Sequence, residues 1–225
     1  MKTRLLSAAL SLALCLAAPV RAEHPTVRGD LHLPNLGLAK LEIKAYVDSG
    51  QYQKEFDQVV GSAKAYLQEN SERHRGSKPA IVLDIDETSI SNLPYLLEAD
   101  FGYTPGPWQA WVQGDRAKAF PATLEFYQWA RSQGISVFFI TARPETDREA
   151  TLKLLERTGF SDISGLYLKP VDDKASSTVY KAGQRRKITE KGHHIVVNLG
   201  DQWTDLDGGY SEAEFKLPNP FYFVP

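Results

Sequence analysis

Cysteine and methionine are almost absent from this sequence. Its 225 residues contain one of each, Cys15 and Met1. A single cysteine cannot form an internal disulfide, so a disulfide-rich scaffold and a cysteine-based zinc site are excluded. An excess of one charge is absent too, because 26 Lys and Arg stand against 28 Asp and Glu. Since there is no basic stripe, the sequence indicates no nucleic-acid polymer as a partner.

Long apolar runs are also missing, except within residues 1–22. There MKTR supplies positive charge, LLSAALSLALCLAA is apolar, and the short stretch VRA follows. This order is typical of a secretory signal peptide, and the apolar run is short for a membrane span. We expect cleavage after Ala22. The mature chain, residues 23–225, is then expected to be periplasmic or secreted and to have no attachment to a membrane.

Two alternatives for the N-terminus stay open. One is a buried N-terminal helix. The other is a lipid on Cys15, although Leu14 stands where lipoprotein signals have a small residue. If cleavage follows Ala22, the mature chain has no cysteine and therefore no thiol chemistry.

The remaining pattern predicts an α/β fold. Residues 37–75 have apolar positions at helical spacing, interrupted at Ser49-Gly50. From about residue 78 to residue 210, strand patterns alternate with helical patterns. The expected strands are IVLDI, ISVFFIT, SGLYLKP and HHIVVNLGD, and the expected helices cover residues 121–133, 145–160 and 175–191. Uninterrupted apolar strands that alternate with helices predict a parallel sheet covered on both faces.

Residues 92–120 do not follow this alternation. They are rich in aromatic residues, glycine and proline, and we expect them to form a loop or a small cap over the site. Tyr95, Trp108 and Trp111 are candidates to face a substrate. The C-terminal LPNPFYFVP is too rigid and aromatic for a loose tail.

Polar residues follow the predicted strands. They are Asp84 and Asp86 after the first strand, Thr141 at the end of the second, and Asp201 and Asp205 after the fourth, with Lys181 on the preceding helix. In parallel sheets such ends meet at one edge. Four aspartates held together need a cation, and all-oxygen ligands suit Mg²⁺. A carboxylate beside this ion can attack phosphorus, a second can donate a proton, and a hydroxyl and an ammonium can hold the phosphoryl oxygens.

These motifs resemble those of the haloacid dehalogenase-like phosphatases over about residues 80–205. DIDET, ITAR, Lys181 and GDQWTD occur in the order of that superfamily's motifs. The sequence is similar in particular to the branch of acid phosphatases that includes bacterial outer-membrane lipoprotein phosphatases and plant acid phosphatases and storage proteins. That likeness rests on DIDETSISNLPY, ITARPE, YLKP, VYKAGQRRKI, GDQWTDL and KLPNPFYF.

The resemblance implies a Rossmann-like parallel sheet with a small helical cap, and it assigns roles to residues. Asp84 corresponds to a nucleophile that forms an aspartyl-phosphate. Asp86 corresponds to a general acid and base whose backbone carbonyl also contacts the metal. Thr141 and Lys181 correspond to the pair that holds phosphate.

The same resemblance implies the remaining site residues and the function. Asp201 corresponds to a further metal ligand, and Asp205 to a residue that supports the metal site or orients Lys181, although Asp205 alone could also be a helix cap. Tyr222 corresponds to a tyrosine of the substrate pocket. The implied function is a Mg²⁺-dependent acid phosphatase for small phosphomonoesters, including aryl phosphates and nucleoside monophosphates. The alternatives are a phosphotransferase that uses the same site and a non-catalytic storage or binding protein.

Other polar residues are expected to lie away from the site. His193 and His194 begin a strand, at the end opposite to the expected site, and His74 shows no metal-ligand spacing. Arg185 belongs to a basic run on a helix, Arg185-Arg186-Lys187, and we expect this run to be solvated.

Overall fold

The described chain starts with two helices. The computed structural model describes residues 35–70, 74 and 76–225. Helix α1 spans Leu36–Asp48 and helix α2 spans Gln51–Glu69. Gly50 separates them with a φ of 77°, which glycine adopts without strain. The predicted break at Ser49-Gly50 is confirmed.

The elements that follow alternate as the sequence predicts. The strands are β1 (Lys78–Leu83), β2 (Ile90–Ser91), β3 (Lys118–Ala119), β4 (Ser136–Pro144), β5 (Gly165–Lys169), β6 (His193–Gly200) and β7 (Ala213–Lys216). The further helices are α3 (Leu93–Glu98), α4 (Pro105–Gln113), α5 (Pro121–Ser132), α6 (Arg148–Arg157), α7 (Ser177–Glu190) and the short α8 (Trp203–Leu206). Pro121 lies in the first turn of α5, where its missing N–H costs nothing.

Five strands form a parallel sheet in the order β5-β4-β1-β6-β7. It has a hydrophobic core on each face. Ile81 and Leu83 of β1 pack with residues of α2 and α5, whereas Ala80 and Val82 pack with residues of α7. Because both faces of β1 are covered, its sequence is apolar without alternation. The predicted fold class is confirmed.

The edge strand β7 is not predicted by the sequence. None of its four residues is fully buried, and in the sheet it pairs with β6 on one side. An edge strand needs no continuous apolar run, so its pattern is too weak to separate it from a loop.

Residues 92–120 form a small helical cap. The antiparallel pair of β2 and β3 closes its base, with Ile90 opposite Ala119 and Ser91 opposite Lys118. Helices α3 and α4 lie between these strands. The cap therefore leaves and rejoins the core at one point, close to the end of β1.

The predicted signal peptide, residues 1–22, lies outside the described residues. Among the helices that the structure describes, none combines the length and the apolar character needed to cross a bilayer.

Candidate active site

Five of the residues predicted to be catalytic or to bind the metal meet at the carboxyl edge of the sheet. Asp84 follows β1, Thr141 lies near the end of β4, and Asp201 follows β6. Lys181 reaches this edge from α7 and Asp205 from α8. Strands β4, β1 and β6 are neighbours, which is why their ends converge. All five side chains are buried.

Lys181 joins two of these carboxylates. Its Nζ lies 2.5 Å from Oδ1 of Asp84 and 2.5 Å from Oδ1 of Asp205. Burial raises the pKa of Asp84 well above its ordinary value; the charge of Lys181 acts against this, and that of Asp205 adds to it. Burial alone would lower the pKa of Lys181, but the charges of Asp205 and Asp84 outweigh it and raise that pKa. Lys181 is therefore held in its charged form.

Asp201 is oriented by three side chains. Thr88 donates to its Oδ1 at 3.1 Å, and Gln202 and Asn219 donate to its Oδ2 at 2.8 and 2.7 Å. Burial and the charge of Asp205 raise the pKa of Asp201 to about 7, although the hydrogen bonds from Asn219 and Gln202 act against this. The three hydrogen bonds therefore fix the position of the carboxylate, but they do not bring its pKa back to the ordinary value.

The acidic cluster fits a hard divalent cation. Asp84, Asp201 and Asp205 each offer one carboxylate oxygen, and these atoms lie within 4.8 Å of one another. The raised pKa values of Asp84 and Asp201 show that these anions are not fully compensated by the protein. A cation with oxygen ligands would offset the excess negative charge. The donor set contains oxygen alone, which favours Mg²⁺, Mn²⁺ or Ca²⁺ over zinc.

Asp205 both caps a helix and orients Lys181. Its Oδ2 accepts the backbone amide of Gln202 at 2.8 Å, which forms a capping box at the start of α8, while its Oδ1 faces Lys181. Gly200 makes room for it, because a Cβ at that position would lie 2.4 Å from the Asp205 Cβ. The GDQWTD motif therefore needs its glycine for packing and its second aspartate for two contacts.

The expectation that Arg185 is solvated is wrong. Its side chain has no exposed surface, and its guanidinium donates to the backbone carbonyls of Asp205, Leu206, Asp207 and Gly209. These carbonyls end α8 and begin the following loop. Arg186, the next residue, is exposed as expected. Successive residues of a helix point in different directions, so three basic residues in a row cannot all lie on the exposed face.

Asp86 is not one of the three clustered carboxylates, and its side chain is held by other residues. The Arg143 guanidinium holds its carboxylate with two hydrogen bonds, of 2.8 and 2.6 Å, and Asn92 adds a third at 2.8 Å. Burial alone would raise the pKa of Asp86, but the charge and hydrogen bonds of Arg143 and the bond from Asn92 lower it. The side chain is thus an ionised, paired carboxylate. Its backbone carbonyl, not this side chain, is the predicted metal contact.

Several polar residues of the site were not assigned roles from the sequence. Glu87 is buried, accepts the amide of Asn92 at 2.7 Å and the hydroxyl of Tyr222 at 2.8 Å, and burial followed by the charge of Asp86 raises its pKa to about 7. Arg143 and Asn219 also belong to this group. All of them lie within the motifs DIDETSISNLPY, ITARPE and KLPNPFYF. Their positions within the motifs could therefore have indicated that they belong to the site. The motifs do not indicate which residues they contact.

A cavity of about 440 Å³ opens beside Asp86 and Arg143. Three of the four candidates for substrate contact, Tyr95, Trp108 and Tyr222, line it. Its further aromatic lining comes from Phe101, Tyr103 and Phe223. The cavity therefore has a charged floor and walls made of aromatic rings from the cap and the C-terminal segment.

Trp111 does not line this cavity. It is buried, and its indole N–H donates to Asn92 at 2.8 Å, so it supports the residue that holds Asp86. It borders instead a second cavity of about 500 Å³ within the cap, near Glu98 and Arg116. That cavity is lined by none of the predicted catalytic residues.

Comparisons with known proteins agree with this architecture. The family model described as HAD superfamily, subfamily IIIB (acid phosphatase), matches residues 3–225. Acid phosphatase 1 of Solanum lycopersicum is 35% identical over 187 residues, which cover 81% of this chain and 73% of that protein. Vegetative storage protein 1 of Arabidopsis thaliana is 32% identical over 201 residues, 85% of this chain and 74% of that one.

A solved structure shares the fold. The class C acid phosphatase of Bacillus anthracis has a TM-score of 0.70 and 26% identity, with 84% of this chain and 85% of that chain covered. The same enzyme has been solved with tungstate bound, with equal TM-score and coverage and 25% identity. The family match spans nearly the whole sequence and includes every motif that forms the site. The chain therefore belongs to subfamily IIIB of the HAD superfamily, the acid phosphatases.

Proposed function

We propose that this phosphomonoester hydrolase works through an aspartyl-phosphate on Asp84. The observation that carries the proposal is the buried arrangement in which Lys181 joins Asp84 to Asp205 while Asp201 lies in the same cluster. A buried ion network that is short of positive charge can accept a cation and a phosphoryl group together.

Asp84, Asp201 and Asp205, with the backbone carbonyl of Asp86, are the residues that would hold Mg²⁺. When bound, this ion offsets the negative charge of the phosphoryl group and of the carboxylates. The chain supplies the rest of the electrostatic frame. Lys181 and the hydroxyl of Thr141 hold phosphoryl oxygens, and the charge of Lys181 opposes the rise that burial causes in the pKa of Asp84.

The reaction has two displacements. First, an Asp84 oxygen bonds to phosphorus, the ester O–P bond breaks, and Asp86 gives its proton to the leaving oxygen. Then water attacks phosphorus, returns a proton to Asp86, and releases inorganic phosphate and the Asp84 carboxylate. Asp86 is ionised in its contact with Arg143, so it must gain its proton as substrate binds. A phosphate dianion beside it favours this by raising its pKa.

The aromatic cavity supports a preference for flat leaving groups. Rings of Trp108 and Tyr222 offer stacking surfaces worth on the order of 1 kcal/mol each. Stacking carries little hydrogen-bond information, so discrimination among flat groups should be weak. We propose broad hydrolysis of phosphomonoesters, with aryl phosphates and nucleoside monophosphates preferred over small alkyl phosphates.

The mechanism is tested by trapping the intermediate. The protein is mixed with a labelled phosphomonoester and Mg²⁺, quenched in acid and digested. We expect a hydroxylamine-sensitive label on the peptide that contains Asp84, no label in Asp84→Asn, and a normal label in Asp162→Asn, a change of an exposed acid that pairs with Arg131. Label on another residue, or normal turnover by Asp84→Asn, would contradict the proposal.

The cation is tested separately. A chelator should abolish turnover, and Mg²⁺ should restore it. Tungstate, a tetrahedral oxyanion like phosphate, should compete with substrate, as its binding to the Bacillus anthracis relative suggests. Turnover that survives chelation would contradict the metal requirement while leaving the trapping result intact.

A second candidate is a storage role, which the likeness to a vegetative storage protein favours. Asp84, Asp86, Thr141, Lys181 and Asp201 are all present here, so this chain retains the groups that hydrolysis needs. The absence of detectable turnover by the folded, Mg²⁺-loaded chain with every phosphomonoester tested would support storage instead.

Export of the chain is also proposed. The signal pattern of residues 1–22 supports it. Mass spectrometry of the exported protein should give a chain that begins at Glu23. An intact Met1 or a lipid on Cys15 would contradict this.

A further inference from the structure

Three side chains meet at the amino edge of the sheet, opposite to the carboxylate cluster. His194 lies at the start of β6, Glu212 directly precedes β7, and His74 follows α2. Along β6, His194 is six residues from Gly200, or roughly 20 Å at strand spacing. This group is therefore separate from the catalytic residues.

The backbone holds each of these residues in place. The carbonyl of His74 accepts the amide and the hydroxyl of Ser77, at 3.0 and 2.8 Å. His194 pairs with Pro79 in the register of β1 and β6. The amide of Glu212 donates to Ile195 at 2.9 Å. Three segments that are far apart in sequence are thus brought together by the sheet.

The ligand atoms of the three side chains lie within 4.8 Å of one another. Nε2 of His194 and Nε2 of His74 lie 2.8 and 3.2 Å from Oε2 of Glu212. The two imidazole rings are stacked, with centroids 4.6 Å apart. Tyr66 donates to the other oxygen of Glu212, Oε1, at 2.8 Å. This contact fixes the carboxylate so that Oε2 faces both rings, as partners of metal ligands commonly do.

We propose that His74, His194 and Glu212 form a second metal site, which takes a zinc-like transition-metal ion. Bonds of about 2.0–2.2 Å in a tetrahedral zinc site place ligand atoms roughly 3.3 Å apart. The distances of Oε2 from the two nitrogens, 2.8 and 3.2 Å, need to widen by at most about half an ångström. The two rings, whose planes are 27° apart, also need to turn so that both nitrogen lone pairs point at the ion. Two imidazole nitrogens favour Zn²⁺ or Co²⁺, whereas the all-oxygen cluster at the other edge favours Mg²⁺.

The site has access to solvent and a structural role. The side chain of His194 is 48% exposed, so water can reach the ion and complete its coordination. The ion would tie β6, the segment before β7 and the segment after α2 to one another. Because it binds the folded chain, it stabilises the fold by a free energy that rises with the logarithm of its concentration once that concentration exceeds Kd. It takes no part in hydrolysis.

The sequence did not reveal this site. Paired ligands of zinc sites are usually close in sequence, whereas here each comes from a separate segment. The expectation that His193 and His194 lie away from the catalytic site is confirmed by the geometry. Only His194 belongs to the group, since the ring of His193 packs against Phe138.

The test is a titration of the full chain with Zn²⁺ or Co²⁺ in a large excess of Mg²⁺, which keeps the carboxylate cluster occupied. We expect one equivalent of Co²⁺ to give the visible absorption of nitrogen-ligated cobalt, and Zn²⁺ to raise the thermal midpoint. His194→Gln and Glu212→Gln should each weaken binding by at least ~10-fold. His193→Gln is the matched control and should bind as the wild type does.

A loss of metal binding is informative only if the variant is folded. Circular dichroism and phosphatase activity in Mg²⁺ should be unchanged in His194→Gln, because this residue is half-exposed and far from the catalytic residues. Equal binding by wild type and His194→Gln, or no saturable binding by wild type, would overturn the proposal. Neither result bears on the aspartyl-phosphate mechanism.

Discussion

Charged side chains are buried at the carboxyl edge of the sheet but lie at the surface of the helical pair α1–α2. At the carboxyl edge Asp84, Lys181 and Asp205 are buried and contact one another. On the helical pair, charges remain at the surface, as in the contact of Lys40 with Asp100 at 2.7 Å. The inner face of α2 is formed by apolar and aromatic side chains instead.

Exposed and buried ion pairs contribute differently to the free energy of unfolding. Exposed ion pairs contribute about 0–1 kcal/mol, because water screens them and the side chains lose freedom. Removal of one member of a buried pair costs about 3–5 kcal/mol, because it leaves an uncompensated charge. The carboxyl edge therefore depends on a complete set of buried charges, whereas α2 is held by its apolar face.

Replacement of Lys181 should have the largest effect. Lys181→Met removes the ammonium between Asp84 and Asp205, so we expect activity to fall at least about 10³-fold. The metal-free protein should also lose stability, and Mg²⁺ should restore part of it by offsetting the carboxylates. Steady-state kinetics and urea unfolding with and without Mg²⁺ measure both effects.

Lys40→Met is the control for this change, since it removes an exposed ion pair from α1. Its unfolding free energy should stay within about 0.5 kcal/mol of the wild type and its activity should not change. Similar losses in the two variants would show that the buried network has no special weight.

Arg185 and Arg186 offer the second test, on neighbouring positions of one helix. Arg185→Met leaves the carbonyls at the end of α8 without their donor, and we expect a loss of at least about 3 kcal/mol of unfolding free energy. Activity should fall as well, because α8 carries Asp205. Arg186→Met should leave the free energy of unfolding nearly unchanged. Chemical denaturation of both variants measures the difference. A neutral Arg185→Met would mean that water replaces the guanidinium.

The same contrast explains how much the sequence predicts. In α2 the period of Tyr52, Phe56, Val60, Ala63 and Leu67 follows from the helix itself, and it predicts which face is buried. In the sheet, uninterrupted apolar runs predict four of the five parallel strands, and the short edge strand β7 escapes because it lacks such a run.

Polar networks have no comparable period. The strand ends and their motifs predict that Asp84, Lys181 and Asp201 share one edge. They do not predict that Arg143 holds Asp86, that Tyr222 donates to Glu87, or that Asn219 holds Asp201. Each of these contacts joins segments far apart in the chain, so the fold decides the partner.

Tyr222 gives a smaller effect, on binding. Tyr222→Ala removes one aromatic wall of the cavity, so KM for a nucleoside monophosphate should rise by about 5-fold, the equivalent of one stacking contact. KM for a small alkyl phosphate should change little. Tyr222→Phe keeps the ring and loses only the hydroxyl that faces Glu87, and it should retain the preference. Equal changes for both substrates would exclude a stacking role.

The smallest effect is expected from Tyr46, which joins α1 to α2 by donating to Glu55. Burial, followed by the hydrogen bond to Glu55 and the charge of Glu55, raises the pKa of Tyr46 to about 12. Because this folded-state pKa lies above the ordinary value of 10, the folded chain holds the proton more tightly than the unfolded chain does.

The stabilisation that comes from the Tyr46 proton is therefore complete below pH 10 and is lost as the pH rises towards 12. Tyr46→Phe has no such proton, so its stability relative to wild type should improve over that interval. Urea unfolding at several pH values measures the difference, with Tyr103→Phe, a change of an exposed tyrosine, as the control. A constant difference between wild type and Tyr46→Phe from pH 9 to 12 would show that the contact with Glu55 does not hold this proton.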